Sequence, residues 1–151
     1  MAEGGLDAFA AVMEELAHRK KGPGKRLFEE LMVRLPEPGS LDHPEAKRTS
    51  HVCVIDLDPK VLESAKFRRR NPRYQADMLC VYVGMTGKSP EARFEQHKAN
   101  DGAGKYVSEF GRKLLPKLYA DRNPLTRREA LIYERALAFE LREKGYGVWQ
   151  G

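Results

Sequence analysis

The stretch CVYVGMTGKSPEARFEQHKAN, residues 80–100, decides the predicted fold because three local patterns follow one another in it. It begins with apolar and β-branched residues, which favour a strand, and continues into a turn flanked by glycines. Ser89 is a good N-cap and Pro90 a good first helical residue, so a helix is predicted over 90–99. The stretch therefore predicts a strand, a turn and a helix in direct succession.

Polar side chains in this stretch form the first candidate site. Arg93 and His97 are four residues apart and share one face of the predicted helix. Arg93 is suited to a forked grip on a phosphate oxygen, and His97 to a hydrogen bond with a phosphate or to proton transfer. Tyr82 precedes the turn and either belongs to the core or points at a water or phosphate. The alternative is an exposed arginine–histidine pair on an ordinary helix.

Three strands are predicted in all: one before this stretch, one that overlaps its start and one after it. Residues 51–57 (HVCVIDL) are apolar and rich in β-branched side chains. Residues 78–84 (MLCVYVG) show little polar alternation, which is typical of a strand buried on both faces. Residues 114–119 are interpreted as an edge strand, since Pro116 cannot donate a ladder hydrogen bond.

A long helix is predicted from a Thr126–Glu129 capping box to about Lys144. Glu134 falls inside the apolar stripe of this helix. A carboxylate on an apolar face costs desolvation free energy unless a cation meets it. Glu134 therefore either forms a salt bridge or faces a cleft, where its oxygen atoms would bind a divalent metal ion.

The N-terminal part, residues 1–50, reads as a helical extension followed by a linker. Helices are predicted over 6–21 and 26–35, and the proline-containing segment 37–50 places a domain boundary near Ser50. This part either contacts nucleic acid or packs on residues 51–151 through its apolar faces. The apolar residues concerned are Phe9, Met13, Phe28 and Leu31.

The formal net charge is +5, from 27 basic and 22 acidic residues, and the basic residues are clustered. One cluster lies within 66–73 and another within 18–26. Such runs either form solvated loops or contact phosphate backbones. The residues predicted to contact nucleic acid are Lys66, Arg68, Arg69, Arg70, Arg73, Lys88, Lys98 and Lys105.

The composition argues against a membrane protein and against a zinc site. The longest apolar run, Ala8–Met13, is far shorter than the ~20 residues of a membrane helix. The N-terminus carries Glu3 and no basic leader, so a cytoplasmic protein is expected. Cys53 and Cys80 form no CxxC motif, which favours two reduced, buried thiols.

Taken in order, these features resemble the GIY-YIG nuclease domain. The match is strongest in YVGMTGKSPEARFEQH, residues 82–97, where Tyr-Val-Gly, a threonine turn, an arginine and a histidine follow the family's order and spacing. The segment EALIYERAL, residues 129–137, resembles the family's late helix, with Glu134 at the metal-binding glutamate. The resemblance covers roughly residues 50–150, about two-thirds of the chain.

The resemblance implies an α+β fold in which helices flank a small three-stranded antiparallel sheet, here with a helical N-terminal extension. It also implies cleavage of DNA phosphodiester bonds that depends on Mg²⁺ or Mn²⁺. Arg93 corresponds to the catalytic arginine and Glu134 to the single metal ligand. Tyr82 resembles the tyrosine in the second half of the family's signature, and His97 resembles the histidine that often follows the arginine.

Two positions depart from the family pattern. Cys53 stands where the family has its first signature tyrosine, a favoured general base, and so marks an altered general-base position. Met85 stands where the family is often basic, and Lys88 is the nearest residue that would supply the missing charge.

Three functions stay open from the sequence. A metal-dependent endonuclease is favoured because Arg93 and Glu134 are both present, and these two residues are then expected to face one cleft. A non-catalytic nucleic-acid-binding module is favoured by Cys53 and Met85. The third is an interaction protein whose basic loops contact acidic proteins. DNA is the expected partner, and RNA stays an alternative.

Overall fold

The computed structural model describes residues 2–19, 21–99 and 104–151, with side chains from residue 8 onward. In these ranges the chain forms six α-helices and one four-stranded mixed sheet, which confirms the predicted α+β class. The helices are α1 (Ala2–Ala17), α2 (Gly22–Leu31), α3 (Ala65–Arg70), α4 (Pro90–Lys98), α5 (Lys105–Phe110) and α6 (Arg127–Glu143). The strands are β1 (His51–Leu57), β2 (Cys80–Thr86), β3 (Gly111–Leu114) and β4 (Gly147–Gln150).

The sheet has the strand order β3-β1-β2-β4. β1 pairs with both β2 and β3 in antiparallel register, whereas β4 runs parallel to β2 and pairs Trp149 with Tyr82. The prediction of a three-stranded antiparallel sheet is therefore wrong. The physical reason is that α6 carries the chain back along the sheet, so the tail enters beside β2 in the same direction as β2.

The edge strand lies earlier in the chain than predicted. The sequence placed it at 114–119, but β3 spans Gly111–Leu114 and lies at the sheet edge. Pro116 opens a 3₁₀-helix, Pro116–Leu118, because it has no N–H for the ladder and its fixed φ suits a first helical position.

The long helix α6 begins and ends as its sequence predicts. Thr126 and Glu129 form the capping box at its start, and Gly145 adopts a φ of 95° just after its end. The buried face of α6 packs on the sheet in one hydrophobic cluster with Val54 and Val83. This packing holds the helix that carries Glu134 against the centre of the sheet.

The N-terminal helices belong to the same hydrophobic cluster. Met13 of α1 and Phe28 of α2 are fully buried in it, and Phe9 and Leu31 pack against it. The segment that follows is tied to α6, since the Leu41 N–H donates to Glu129 Oε2 over 3.0 Å. Of the two roles considered for residues 1–50, packing on the rest of the chain is therefore observed, while the boundary near Ser50 stays a prediction.

A second cluster covers the opposite face of the sheet. It contains Phe67 of α3 and Val107 of α5, which pack on Ile55 and Tyr82. The two cysteines are free and buried. Over the described ranges, no helix is both long and apolar enough to cross a membrane.

Candidate active site

Tyr82 occupies a position that its neighbours fix closely. Its side chain is 8% exposed, and its ring lies along β2 over Gly84, two residues further on the same face of the strand. A Cβ on Gly84 would lie 2.7 Å from Tyr82 Cε1, so only glycine leaves room for the ring. The His97 ring meets Tyr82 edge-on, with 5.5 Å between ring centroids, and the Gly151 backbone lies against the phenol oxygen.

Cys53 lies next to this tyrosine in the sheet, because it pairs with Gly84 across β1 and β2. Burial raises the pKa of Cys53 to about 12, and Glu134 raises it further while Arg93 opposes the rise. Burial also raises the pKa of Tyr82 to about 12, with the same two charges acting in the same directions. Both groups are therefore neutral at neutral pH, and both lie within electrostatic reach of Glu134 and Arg93.

Glu134 lies on α6, and its charge acts on Cys53 and Tyr82. It is 5% exposed, as its place in the apolar stripe predicts, and its Oε1 accepts a hydrogen bond from Gln150 Nε2 over 2.9 Å. Gln150 belongs to β4, the strand that the sequence did not predict. The tail of the chain therefore helps to orient the carboxylate.

Arg93 approaches from α4 and is half-buried. Its Nη1 donates to Gln96 Oε1 over 3.1 Å. Arg93 and Lys88 line a shallow surface pocket at the turn after β2, which we call the turn pocket. Its described lining is Met85, Thr86, Gly87, Lys88, Arg93 and Gln96. Lys88 is thus placed where it adds a second positive charge beside Arg93.

The charges of Arg93 and Glu134 both act on Cys53 and Tyr82, but the two side chains do not line the same pocket. Both influence Cys53 and Tyr82, whereas Glu134 lies outside the described lining of the turn pocket. The expectation that both side chains face one common cleft therefore stays a prediction.

His97 lies in a different environment from Arg93, although the two are one helical turn apart. His97 is 1% exposed, and its Nδ1 has no hydrogen-bond partner among the described residues. Burial lowers the pKa of His97 to about 4, and the nearby Arg93 charge lowers it as well. His97 is therefore a neutral group packed on Tyr82 at neutral pH, and it does not form an exposed pair with Arg93.

The donor set around Glu134 fits a hard cation better than a soft one. Within the described part of the chain, no three His, Cys, Asp or Glu side chains are grouped closely enough to hold a metal ion. Cys53 is disfavoured as a thiolate ligand, because its pKa is raised. A single carboxylate is sufficient for Mg²⁺ when water and substrate phosphate oxygens fill the other positions. Glu134 therefore fits the predicted role of lone protein ligand.

Tyr119 is a site residue that the sequence did not indicate. It is 2% exposed, and its buried hydroxyl has no hydrogen-bond partner among the described residues. Burial raises its pKa to about 12, with smaller contributions from Cys53 and Glu91. The phenol of Tyr119 therefore lies in the same hydrophobic cluster as Cys53. Tyr119 follows β3, in a segment that the sequence predicted as a strand.

The residues predicted to contact nucleic acid lie in several surroundings, although Lys66 and Arg70 both lie over the Trp149 ring. Arg69, Arg70 and Arg73 line a pocket near α3, and Lys88 lines the turn pocket. The others take different positions. Lys66 lies over the Trp149 ring, Arg68 donates to the Leu62 carbonyl, Lys98 donates to the Gly111 carbonyl and Lys105 is exposed at the start of α5.

No family model matches this chain, and searches of curated proteins and of solved structures also return no match. The resemblance of residues 82–97 and 129–137 to the GIY-YIG domain therefore depends on the residues themselves. The function must be argued from the geometry of the candidate site.

Proposed function

We propose that the protein is a metal-dependent endonuclease that hydrolyses DNA phosphodiester bonds through a GIY-YIG-type site. One observation carries the proposal: the charges of Arg93 of α4 and Glu134 of α6 both act on the buried side chains of Cys53 and Tyr82. These residues come from four different elements, so the fold rather than local sequence brings them together. A cation and a carboxylate that can hold a metal ion are suited to stabilising the charge that develops in phosphodiester hydrolysis.

Each group has a distinct part in the proposed reaction. Arg93 would donate two parallel hydrogen bonds to the scissile phosphate and neutralise the charge that develops on it, with Lys88 adding to the positive potential. Glu134 would hold Mg²⁺ or Mn²⁺, which when bound supplies Lewis-acid stabilisation of the phosphate and the leaving oxygen. Gln150 would keep the carboxylate of Glu134 oriented.

Tyr82 would position the attacking water through its hydroxyl group. Because its pKa is about 12, the phenol is protonated at neutral pH and is a poor acceptor for a full proton transfer. The same argument applies to Cys53 and to Tyr119. The water would therefore be held by a neutral phenol and lose its proton to solvent as the phosphorus–oxygen bond forms.

The alternative is a non-catalytic nucleic-acid-binding module with the same fold. Two observations favour it. The thiol of Cys53 and the phenols of Tyr82 and Tyr119 are all protonated at neutral pH, so none of them is ready to accept a proton. In addition, Arg93 and Glu134 do not line one pocket. Such a module would bind DNA with a steep salt dependence and would not cut it.

The test is a cleavage assay on labelled single-stranded, duplex, flap and supercoiled DNA with Mg²⁺, Mn²⁺ or EDTA. Arg93→Ala and Glu134→Gln should each lower the cleavage rate by about 100-fold or more. Their controls are Lys144→Ala and Glu140→Gln, which each remove one charge on or beside α6. We expect these controls to cut within about threefold of the wild type, with unchanged circular dichroism in all four variants.

Two results would contradict the proposal, the first by excluding Glu134 as the metal ligand and the second by excluding cleavage. One is undiminished metal-dependent cutting by Glu134→Gln. The other is salt-sensitive DNA binding by a wild-type protein that cuts none of the four substrates, which would support the binding module instead.

A further inference from the structure

A second pocket lies between α2, the end of α3 and α6, and we call it the basic pocket. Its volume is about 560 Å³. Seven cationic side chains line it, against two carboxylates, Glu29 and Glu143. Six of the cations come in pairs from three regions. These are Lys21 and Lys25 at α2, Arg69 and Arg70 of α3, and Arg135 and Arg142 of α6.

The two carboxylates of the basic pocket are already engaged. Glu29 pairs with Lys25 over 2.9 Å, and Glu143 pairs with Arg73. Among the described residues, five lining cations have no carboxylate partner. These are Lys21, Arg69, Arg70, Arg135 and Arg142. The pocket therefore holds more cationic than anionic side chains, although Glu29 and Glu134 offset part of the charge of Arg135, and Glu29 part of that of Arg142.

Part of this excess charge is shielded from water. Arg135 is 7% exposed and donates to the Arg19 carbonyl over 3.1 Å. Arg142 donates to Asn71 Oδ1 and to the Val148 carbonyl, both neutral acceptors. Burial lowers the pKa of Arg142 to about 10, and repulsion from Arg70 and Arg135 contributes to this. Such a cluster is costly without a counter-charge, so it is suited to an anionic ligand.

The pocket also offers aromatic surface beside its charges. The Arg135 guanidinium lies over the Phe28 ring at 5.5 Å from the centroid. Tyr74, Phe139 and Tyr146 complete an aromatic part of the lining. Cations beside aromatic rings are the elements that bind the phosphate and the base of an unpaired nucleotide. A cavity of about 560 Å³ is in the size range of small-molecule sites, so it has room for a nucleotide and not for a duplex.

The basic pocket lies next to the candidate active site. Gln150 lines the pocket and donates its side-chain hydrogen bond to Glu134. One side chain therefore separates the pocket from the proposed metal ligand. A nucleotide held in the pocket would have its neighbouring phosphodiester within reach of Glu134.

We propose that the basic pocket binds an unpaired nucleotide of a single-stranded DNA segment and so selects substrates that contain one. The choice of a nucleic acid strand, rather than a free nucleotide, rests on the proposed endonuclease function. The positive charge, the aromatic surface and the contact with Gln150 do not depend on the proposed endonuclease function.

Binding measured in EDTA tests the proposal without cleavage. We would measure fluorescence anisotropy with a labelled single-stranded oligonucleotide and with a duplex of the same sequence. The test variant combines Lys21→Glu with Arg69→Glu, since both side chains are exposed and neither forms an ion pair among the described residues. The control combines Arg34→Glu with Lys60→Glu, two exposed cations outside the pocket that change the net charge equally.

We expect the test variant to bind the single strand at least about tenfold more weakly, and the control to stay within about threefold of the wild type. Equal losses in the two variants would overturn the proposal, because they would show attraction to net charge alone. Wild-type protein that binds the duplex as tightly as the single strand would overturn it too.

A competition arm separates the two sources of a nucleotide. A deoxynucleoside monophosphate and inorganic phosphate would each be titrated against the bound oligonucleotide. The proposal of a bound strand is supported if both small molecules displace the oligonucleotide only at concentrations at least about tenfold above those of unlabelled oligonucleotide. It is overturned if the monophosphate displaces the oligonucleotide as effectively as unlabelled oligonucleotide does. Pocket-dependent binding without any cleavage would refute the endonuclease alone, whereas cleavage and binding untouched by the test variant would refute the pocket alone.

Discussion

The turn pocket and the basic pocket differ in how the chain builds them. The turn pocket is lined by residues within 85–96, and a single strand–turn–helix unit supplies its two cations. The basic pocket draws its lining from residues 21–150, across α2, α3, α6 and β4. Local spacing is therefore enough to indicate the first pocket, and only the assembled fold forms the second.

The ionisable groups of the two regions also differ in their charge at neutral pH. Beside the turn pocket, burial keeps Cys53, Tyr82 and His97 neutral at neutral pH. In the basic pocket, buried arginines stay charged although their pKa values are lowered. The first region is therefore suited to positioning reacting groups, and the second to binding an anion.

The largest expected effect tests whether the N-terminal helices form a wall of the basic pocket. Phe28 is 1% exposed and supports Arg135, while its neighbour Leu27 is 43% exposed. Phe28→Ala should lower the free energy of unfolding by about 3–5 kcal/mol, because it leaves a cavity in the core. Leu27→Ala should change it by less than about 1 kcal/mol. Urea unfolding measures both.

A Phe28→Ala protein as stable as Leu27→Ala would show that α2 does not pack in the core in solution. The basic pocket would then lose one of its walls, and the comparison between the two pockets would fail.

A smaller effect is expected at the turn pocket, where two glycines offer a matched pair. Gly84→Ala places a Cβ 2.7 Å from the Tyr82 ring, which His97 holds in position, whereas a Cβ on Gly87 meets no atom within 4 Å. Gly84→Ala should cost about 1–3 kcal/mol of unfolding free energy through overpacking. Gly87→Ala should stay within about 0.5 kcal/mol of the wild type. Equal stabilities would mean that the ring moves freely.

The elements that the sequence predicted well are those with local signals. The strand predicted over 51–57 matches β1, because β-branched residues fill it. The helix predicted over 90–99 is α4, Pro90–Lys98, and Ser89 caps it through a hydrogen bond to the Ala92 N–H. These features need only neighbouring residues, so spacing and capping chemistry were sufficient.

The features that the sequence did not predict depend on distant contacts. β4 pairs in parallel with β2 only because α6 crosses the sheet first. Tyr119 lies close to Cys53 because Pro116 ends β3 in a 3₁₀-helix. The family resemblance and the roles of Arg93 and Glu134 stay predictions, since no comparison with known proteins tests them.

The effect that is smallest near neutral pH concerns His97 and the neutral character of the groups beside the turn pocket. Its pKa is about 4 in the folded protein and near 6.5 when unfolded, so between these values the unfolded chain binds more protons. Stability is therefore full above about pH 6.5 and falls towards pH 4, by at most about 1.4 kcal/mol per pH unit. Urea unfolding across this range should show a flatter pH dependence for His97→Gln than for the wild type, with the exposed His18→Gln as control. Parallel curves for all three proteins would mean that burial does not lower the pKa of His97 in the folded state. The region beside the turn pocket would then gain a cation below about pH 6.5, and it would differ less from the basic pocket in electrostatic character.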